Sequence, residues 1–196
     1  MTEKTPPRQL IIEAVVTCIE KYGIDKVTTR KIAEEAGTNI ASINYYFRSK
    51  DDLITETLTT TINHMIEDVF ATIEDRSKPF ETAVQDAFFY LIDGGVRFPG
   101  ISTAHLYSAV VEKRYDSPGA MGINKAFDHF VMRAVLEYPQ KDPEELRFVL
   151  SQIFYSILLT MLAPDLFPVA EKYRLTNSEN SKTLAEQYTR LFFAAI

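Results

Sequence analysis

Thr38, Asn39, Ser42, Asn44, Tyr45 and Tyr46 bring hydroxyls, carboxamides and phenols into nine consecutive positions. Hydroxyls and phenols donate to phosphate oxygens, an asparagine pairs with adenine, and a tyrosine ring can touch a thymine methyl. The other reading is local: Thr38 and Asn39 cap a helix and the tyrosines pack. Ile43 and Phe47, four residues apart, pin one face of this segment to a core, so the polar row between them faces elsewhere.

The flanking residues define what positions that row. Thr28 and Thr29 cap a short helix whose apolar face is Ile32, Ala33 and Ala36. Gly37 supplies its left-handed end, and Thr38-Asn39 caps the next helix. Ser49-Lys50-Asp51-Asp52 opens a third with an acid three residues after a hydroxyl. Helix, tight turn, helix is the helix-turn-helix pattern, whose second helix reads the major groove.

Residues 8–54 resemble the DNA-binding end of the tetracycline-repressor (TetR) family. Gly23, V-T-T-R-K-I-A at 27–33, A-G at 36–37, Y-F at 46–47, Lys50 and Leu53 carry the likeness. It implies an all-helical homodimer that binds double-stranded operator DNA and releases it when a small-molecule inducer enters the C-terminal domain. By this likeness Arg30 stands where a guanine can be reached, against a reading as a solvated surface charge, and Lys50 matches the phosphate-binding lysine. Thr29, Arg30, Thr38, Asn39, Ser42, Asn44, Tyr45, Tyr46 and Lys50 form the candidate DNA-binding set. Two positions depart from the commonest pattern: Asn44 stands where tyrosine is frequent, and Tyr46 where histidine is. The departures bear on phosphate contacts, not on the fold.

Charge is divided along the chain. Net charge is −6, yet residues 1–50 carry eight basic and six acidic groups, net +2, leaving −8 for the remainder. Local charge at the phosphates governs DNA affinity, so the acidic total does not exclude it. With 196 residues, 46% of them hydrophobic, the chain can bury a sizeable core. Cys18, the single cysteine, excludes an internal disulfide framework and reads as a buried spacer. A cytoplasmic protein is expected. The polar start M-T-E-K-T-P-P-R has no signal-peptide core, and the uncharged stretch 148–163 contains four polar residues and falls short of a membrane span.

Helices are expected over 6–22 (capped by Thr5), 50–73, 79–93, 102–113, 122–138, from Asp142-Pro143 to 162 (ended by Pro164 and Pro168), and 179–194. Gly94-Gly95 and Pro99-Gly100 read as breaks. The expected organisation is all-α: a helix-turn-helix domain at 1–50 and a ligand-binding and dimerisation domain at 51–196, joined by the helix from Lys50. The helices at 143–162 and 179–194 form the expected dimer face, with Leu150, Ile153, Ile157 and Leu191 as its apolar contacts; the small polar stripe Gln152, Ser156 and Thr160, flanked by Leu158 and Leu162, reads as a dimer seam or a pocket wall.

Phe88, Tyr90, Phe98, His105, Tyr107, Phe127, Phe130 and Tyr155 are the candidate inducer-pocket lining, each equally able to pack a core. Arg97, His105, His129 and Arg133 are the groups able to hold an anion. No metal-ligand spacing, phosphate loop or nucleophile motif appears, so neither metal, cofactor nor catalysis is expected. Two other classes stay open: an inducer-free DNA-binding protein of the same fold, and an all-helical enzyme or lipid carrier.

Overall fold

The computed structural model describes residues 6–167 and 169–196, so the expected cap Thr5 and the expected helix stop Pro168 lie outside the described residues. Among the described residues the chain is nine α-helices with no strand: α1 (Pro7–Tyr22), α2 (Thr29–Glu35), α3 (Ile40–Tyr46), α4 (Lys50–Ile73), α5 (Phe80–Arg97), α6 (Pro99–Val110), α7 (Pro118–Glu137), α8 (Pro143–Leu162) and α9 (Ser178–Ala195). Single 3₁₀ turns at Ile24–Lys26 and Glu171–Tyr173 complete the fold.

Local chemistry sets most of the starts. Thr28, Asn39, Ser49, Ser117, Asp142 and Asn177 each accept a first-turn N–H through the side chain. Proline occupies the first turn of α1, α6, α7 and α8, where its missing N–H costs nothing. Gly37 takes φ +62° to leave α2, a conformation that side chains with a Cβ resist.

Two hydrophobic cores result. The head core gathers Ile11, Val15 and Ile19 of α1, Ile32 of α2, Ile43 of α3 and Phe47, together with Leu53 of α4 and Ile101 and Ala104 of α6. The body core is built from α4, α5, α7, α8 and α9 around Phe88, stacked on Phe130 at 5.3 Å, with Phe154 edge-on to both. Cys18 is buried in the head, and burial raises its thiol pKa.

Several expectations need correction. Gly94-Gly95 does not break the chain: α5 runs through to Arg97, and Gly95 lies against Met161 of α8. Pro99-Gly100 is the first turn of α6, not a break before it. α7 begins at Pro118 rather than Gly122, because Ser117 caps it. Gly119 and Gly122 sit inside α7 where it crosses α6 and α4 closely: a Cβ at Gly119 would stand 2.2 Å from the His105 carbonyl oxygen. α4 is not the sole bridge between head and body, since α6 also packs on α1. Leu150, Ile153 and Ile157 face the chain's own core and cannot be a dimer surface. The outward row of α8 is Phe148, Tyr155 and Leu159, with Leu191 exposed on α9. α8 is long and apolar enough to cross a membrane by length and composition, but its inner face is body core.

Candidate nucleic-acid interface and body cavity

α3 is seven residues long and anchored from one side. Ile43 is fully buried and Phe47, at its C-cap, nearly so. Asn44, Tyr45 and Tyr46 therefore stand outward, Tyr45 with 82% of its surface exposed. The two tyrosine rings meet edge to face at 5.0 Å, which restrains both phenols on one surface. Thr38 and Ser42 are half-buried beside them.

Asn39 is committed to the backbone: its Oδ1 accepts from Ser42 N–H at 2.8 Å. Bidentate pairing with adenine needs that oxygen, so Asn44, fully on the surface, is the better placed carboxamide. Thr29 is the half-buried first residue of α2, and Arg30 projects beside it, paired with Glu34 at 3.0 Å. Both members of that pair are well exposed, so it holds Arg30 weakly. Lys50 sits in the first turn of α4, its Nζ 3.4 Å from the Val27 carbonyl oxygen and 3.9 Å from Asp51. A phosphate there would meet both an ammonium and a helix N-terminus. Ile40, missed in the sequence because it lies three residues before Ile43 and reads as core, is 46% exposed on the first turn of α3. It offers an apolar contact of the kind that suits a thymine methyl.

A cavity of about 370 Å³ lies within the body, between α4, α5, α6, α7 and α8, with Val16 of α1 at one side. Of the eight residues expected to line such a pocket, Tyr90, Phe98 and His105 do. Phe88 and Phe130 are consumed by the core stack. Phe127 packs edge-on to Phe154 beneath the Arg147 guanidinium. Tyr155 is exposed on α8, and Tyr107 turns toward Asp25 of the head, which raises its pKa. The wall is mainly aliphatic rather than aromatic, with Ile62, Met65, Leu91, Ile157, Leu158 and Met161 prominent. These were legible as helix stripes but not as cavity, because the same pattern packs solid cores.

Few polar groups interrupt that wall. Tyr90 donates its hydroxyl to Asp68, and burial together with that carboxylate pushes its pKa up to about 12. Arg97 pairs with the buried Asp93 carboxylate at 2.9 Å. Of the other groups considered for an anion, His129 stacks on Phe70 and Arg133 lies over Phe80, paired with Glu137. His105 Nε2 is 3.2 Å from Thr61 Oγ1, while its Nδ1 is buried with no partner among the described residues.

Burial lowers the His105 pKa to about 4. The unfolded chain takes a proton near the ordinary value of 6.5 and the folded chain does not until about 4, so stability falls as pH drops across that window. The slope from this one group is at most about 1.4 kcal/mol per pH unit. Thermal melts from pH 7 to 4.5 are expected to fall in the wild type and to flatten in His105→Phe; equal slopes in both would show that the ring is solvated.

A polar contact ties the head to α6, one of the helices that border the cavity. The Glu20 carboxylate of α1 accepts from Gly100 N–H at 2.9 Å and Ile101 N–H at 2.8 Å, capping α6 from another helix. Gly100 permits this approach, since a Cβ there would stand 2.9 Å from Ile19 O. Ile101, Ser102, His105 and Leu106 of the same α6 border the cavity.

The geometry defines a helix-turn-helix head on a cavity-bearing helical body. Residues 11–57 match the family described as "Bacterial regulatory proteins, tetR family". Over 46 residues, 24% of the chain, it is 48% identical to the HTH-type transcriptional dual regulator CecR of Shigella flexneri. Over 74 residues, 38% of the chain, it is 34% identical to the HTH-type transcriptional regulator BetI of Brucella canis. These alignments cover 20% and 37% of those relatives' lengths. The fold extends further than the sequence likeness. A putative TetR-family regulator from Mesorhizobium loti superposes with a TM-score of 0.70 over 96% of this chain and 95% of that one, at 13% identity.

Proposed function

We propose that the chain is a sequence-specific DNA-binding transcriptional regulator, a cytoplasmic homodimer that represses from a pseudo-palindromic operator and is released by a small apolar compound. The observation that carries this reading is the α3 surface: Asn44, Tyr45 and Tyr46 project from a helix held by Ile43 and Phe47. In a two-fold dimer, two such helices would enter successive major grooves about 34–36 Å apart. The cavity supports the release half. A ligand that prefers one arrangement of α6 changes operator affinity by its differential affinity for the two states. Glu20 gives α6 a direct hold on α1 of the head.

Binding is tested by salt titration. Lys50→Ala is expected to weaken all DNA sequences alike and to reduce the salt slope by about one unit. Tyr45→Ala or Asn44→Ala is expected to change preference at particular bases by about 1–3 kcal/mol. An unchanged slope in Lys50→Ala removes that lysine from the interface.

Dimerisation is supported by the outward apolar row of Phe148, Tyr155 and Leu159 on α8 and by Leu191 on α9. Tyr155→Glu is expected to give a folded monomer by sedimentation at micromolar concentration. Ile157→Asp is expected to unfold the chain, because Ile157 is core and a buried unpaired charge is costly. A wild-type monomer at that concentration would contradict the dimer.

A further inference from the structure

Seven glycines occur in the chain, and six have a visible reason. Gly23 and Gly37 take positive φ. Gly95, Gly100, Gly119 and Gly122 each sit where a Cβ would come within 3.0 Å of a neighbour. Gly94 has neither reason. Its φ lies outside the left-handed region, and its carbonyl accepts from Phe98 N–H at 2.8 Å in an unbroken α5. Nothing lies within 4 Å of its Cβ position. A glycine inside a helix costs stability relative to alanine, and here no neighbour requires it.

The open space at Gly94 faces the cavity. Tyr90, Leu91, Gly94, Gly95, Arg97 and Phe98 are the α5 residues on the wall. At about 100° per residue they span an arc of roughly 160°, with Gly94 near its middle. Tyr90 and Phe98 stand about one turn to either side of it. Gly94 is half-buried, so its backbone is accessible, whereas the bare position beside it, Gly95, is covered by Met161. The cavity therefore reaches farthest toward the α5 axis at Gly94.

We infer that Gly94 sets the girth of the compound the cavity takes, and that this compound carries a ring or a branched hydrocarbon group, which lies against the α5 backbone between Tyr90 and Phe98. This rests on the reading of the cavity as an inducer site. The wall is mostly hydrocarbon, which suits such a group. An unbranched chain would leave the recess at Gly94 unfilled. Unfilled apolar space forfeits dispersion contacts, so the wide occupant fits better than the slim one. A side chain at position 94 would take the same space and exclude it.

The experiment compares wide and slim probes on the full chain by calorimetry and thermal shift: 4-tert-butylphenol against 4-butylphenol, and 2-cyclohexylethanol against 1-octanol. Each pair shares its polar group and carbon count. All four are uncharged, so Arg97 and His64 on the wall do not separate the members of a pair. In the wild type the wide member is expected to bind about tenfold more tightly, the low end of what one well-placed methylene is worth in an apolar pocket. Gly94→Ala adds one carbon to the recess, and the preference is expected to fall to about one or to reverse. Gly94→Leu fills the recess and is expected to abolish binding of the wide probes. Without ligand it is expected to melt at or above the wild type, because its side chain enters space that is already open. No preference in the wild type, the same preference in the variants, no binding by any probe, or a Gly94→Leu protein that melts well below the wild type each overturns the inference. Operator release is read separately. Probes that release DNA from the wild type and from Gly94→Leu alike would sink the role of Gly94 and leave the inducer reading. Wide probes that bind with the expected preference and leave DNA in place would do the reverse.

Discussion

Gly119→Val is expected to cost about 3 kcal/mol or more, lowering the melting temperature by roughly 6–12 °C or preventing folding. At Gly119 the new Cβ would lie 2.2 Å from the His105 carbonyl oxygen and 2.7 Å from its Cα. Both are backbone atoms of α6, so no rotamer change relieves the overlap and α6 and α7 must separate. Gly94→Ala is the control. It lies inside α5 with nothing within 4 Å of its Cβ position, so alanine there is expected to stabilise by about 0.5–1 kcal/mol. Thermal melts of the two variants distinguish close approach from mere helix propensity. A Gly119→Val protein that melts with the wild type would show that the α6–α7 crossing is looser than described.

Glu20→Ala is expected to uncouple the two halves of the molecule. Its carboxylate holds two N–H groups at the start of α6, charge-assisted bonds in a partly buried site. Loss of such a pair costs about 1.5–3 kcal/mol for each bond to a charged group, less what water restores. Hydrogen exchange at Gly100 and Ile101 is expected to accelerate. A cavity ligand that lowers operator affinity in the wild type is expected to lower it far less in the variant, because α6 no longer pulls on α1. Intact coupling in Glu20→Ala would move transmission to α4, the other helix shared by head and body.

How much of this was legible in the sequence differs between head and body for a physical reason. The head is written in local chemistry. Thr28, Asn39 and Ser49 each accept an N–H three residues ahead, and Gly37 supplies the positive φ, all within one turn of chain. In the body, tertiary packing overrides local signals. Gly94-Gly95 looked like a break because each glycine costs a helix about 1 kcal/mol. Burial of α5 outweighs that cost, and Gly95 is where Met161 comes close. α8 has apolar residues on two faces, and sequence periodicity does not say which turns inward. Leu150, Ile153 and Ile157 do; Phe148, Tyr155 and Leu159 do not. The candidate lining divides for the same reason: Tyr90, Phe98 and His105 border the cavity and the other five do not. Phe88, Phe130 and His105 are all buried residues of apolar helices, and only the packing of five helices leaves a void beside one and fills the space around the others.

Selection from random double-stranded DNA with the purified full chain tests the central claim most directly. A DNA-reading head in a two-fold dimer predicts enrichment of an inverted repeat whose half-sites are centred about one helical turn, or a multiple of it, apart. The enriched preference should change at defined positions in Asn44→Ala and Tyr45→Ala. Absence of any enriched sequence at low salt, with Lys50→Ala indistinguishable from wild type, would contradict it.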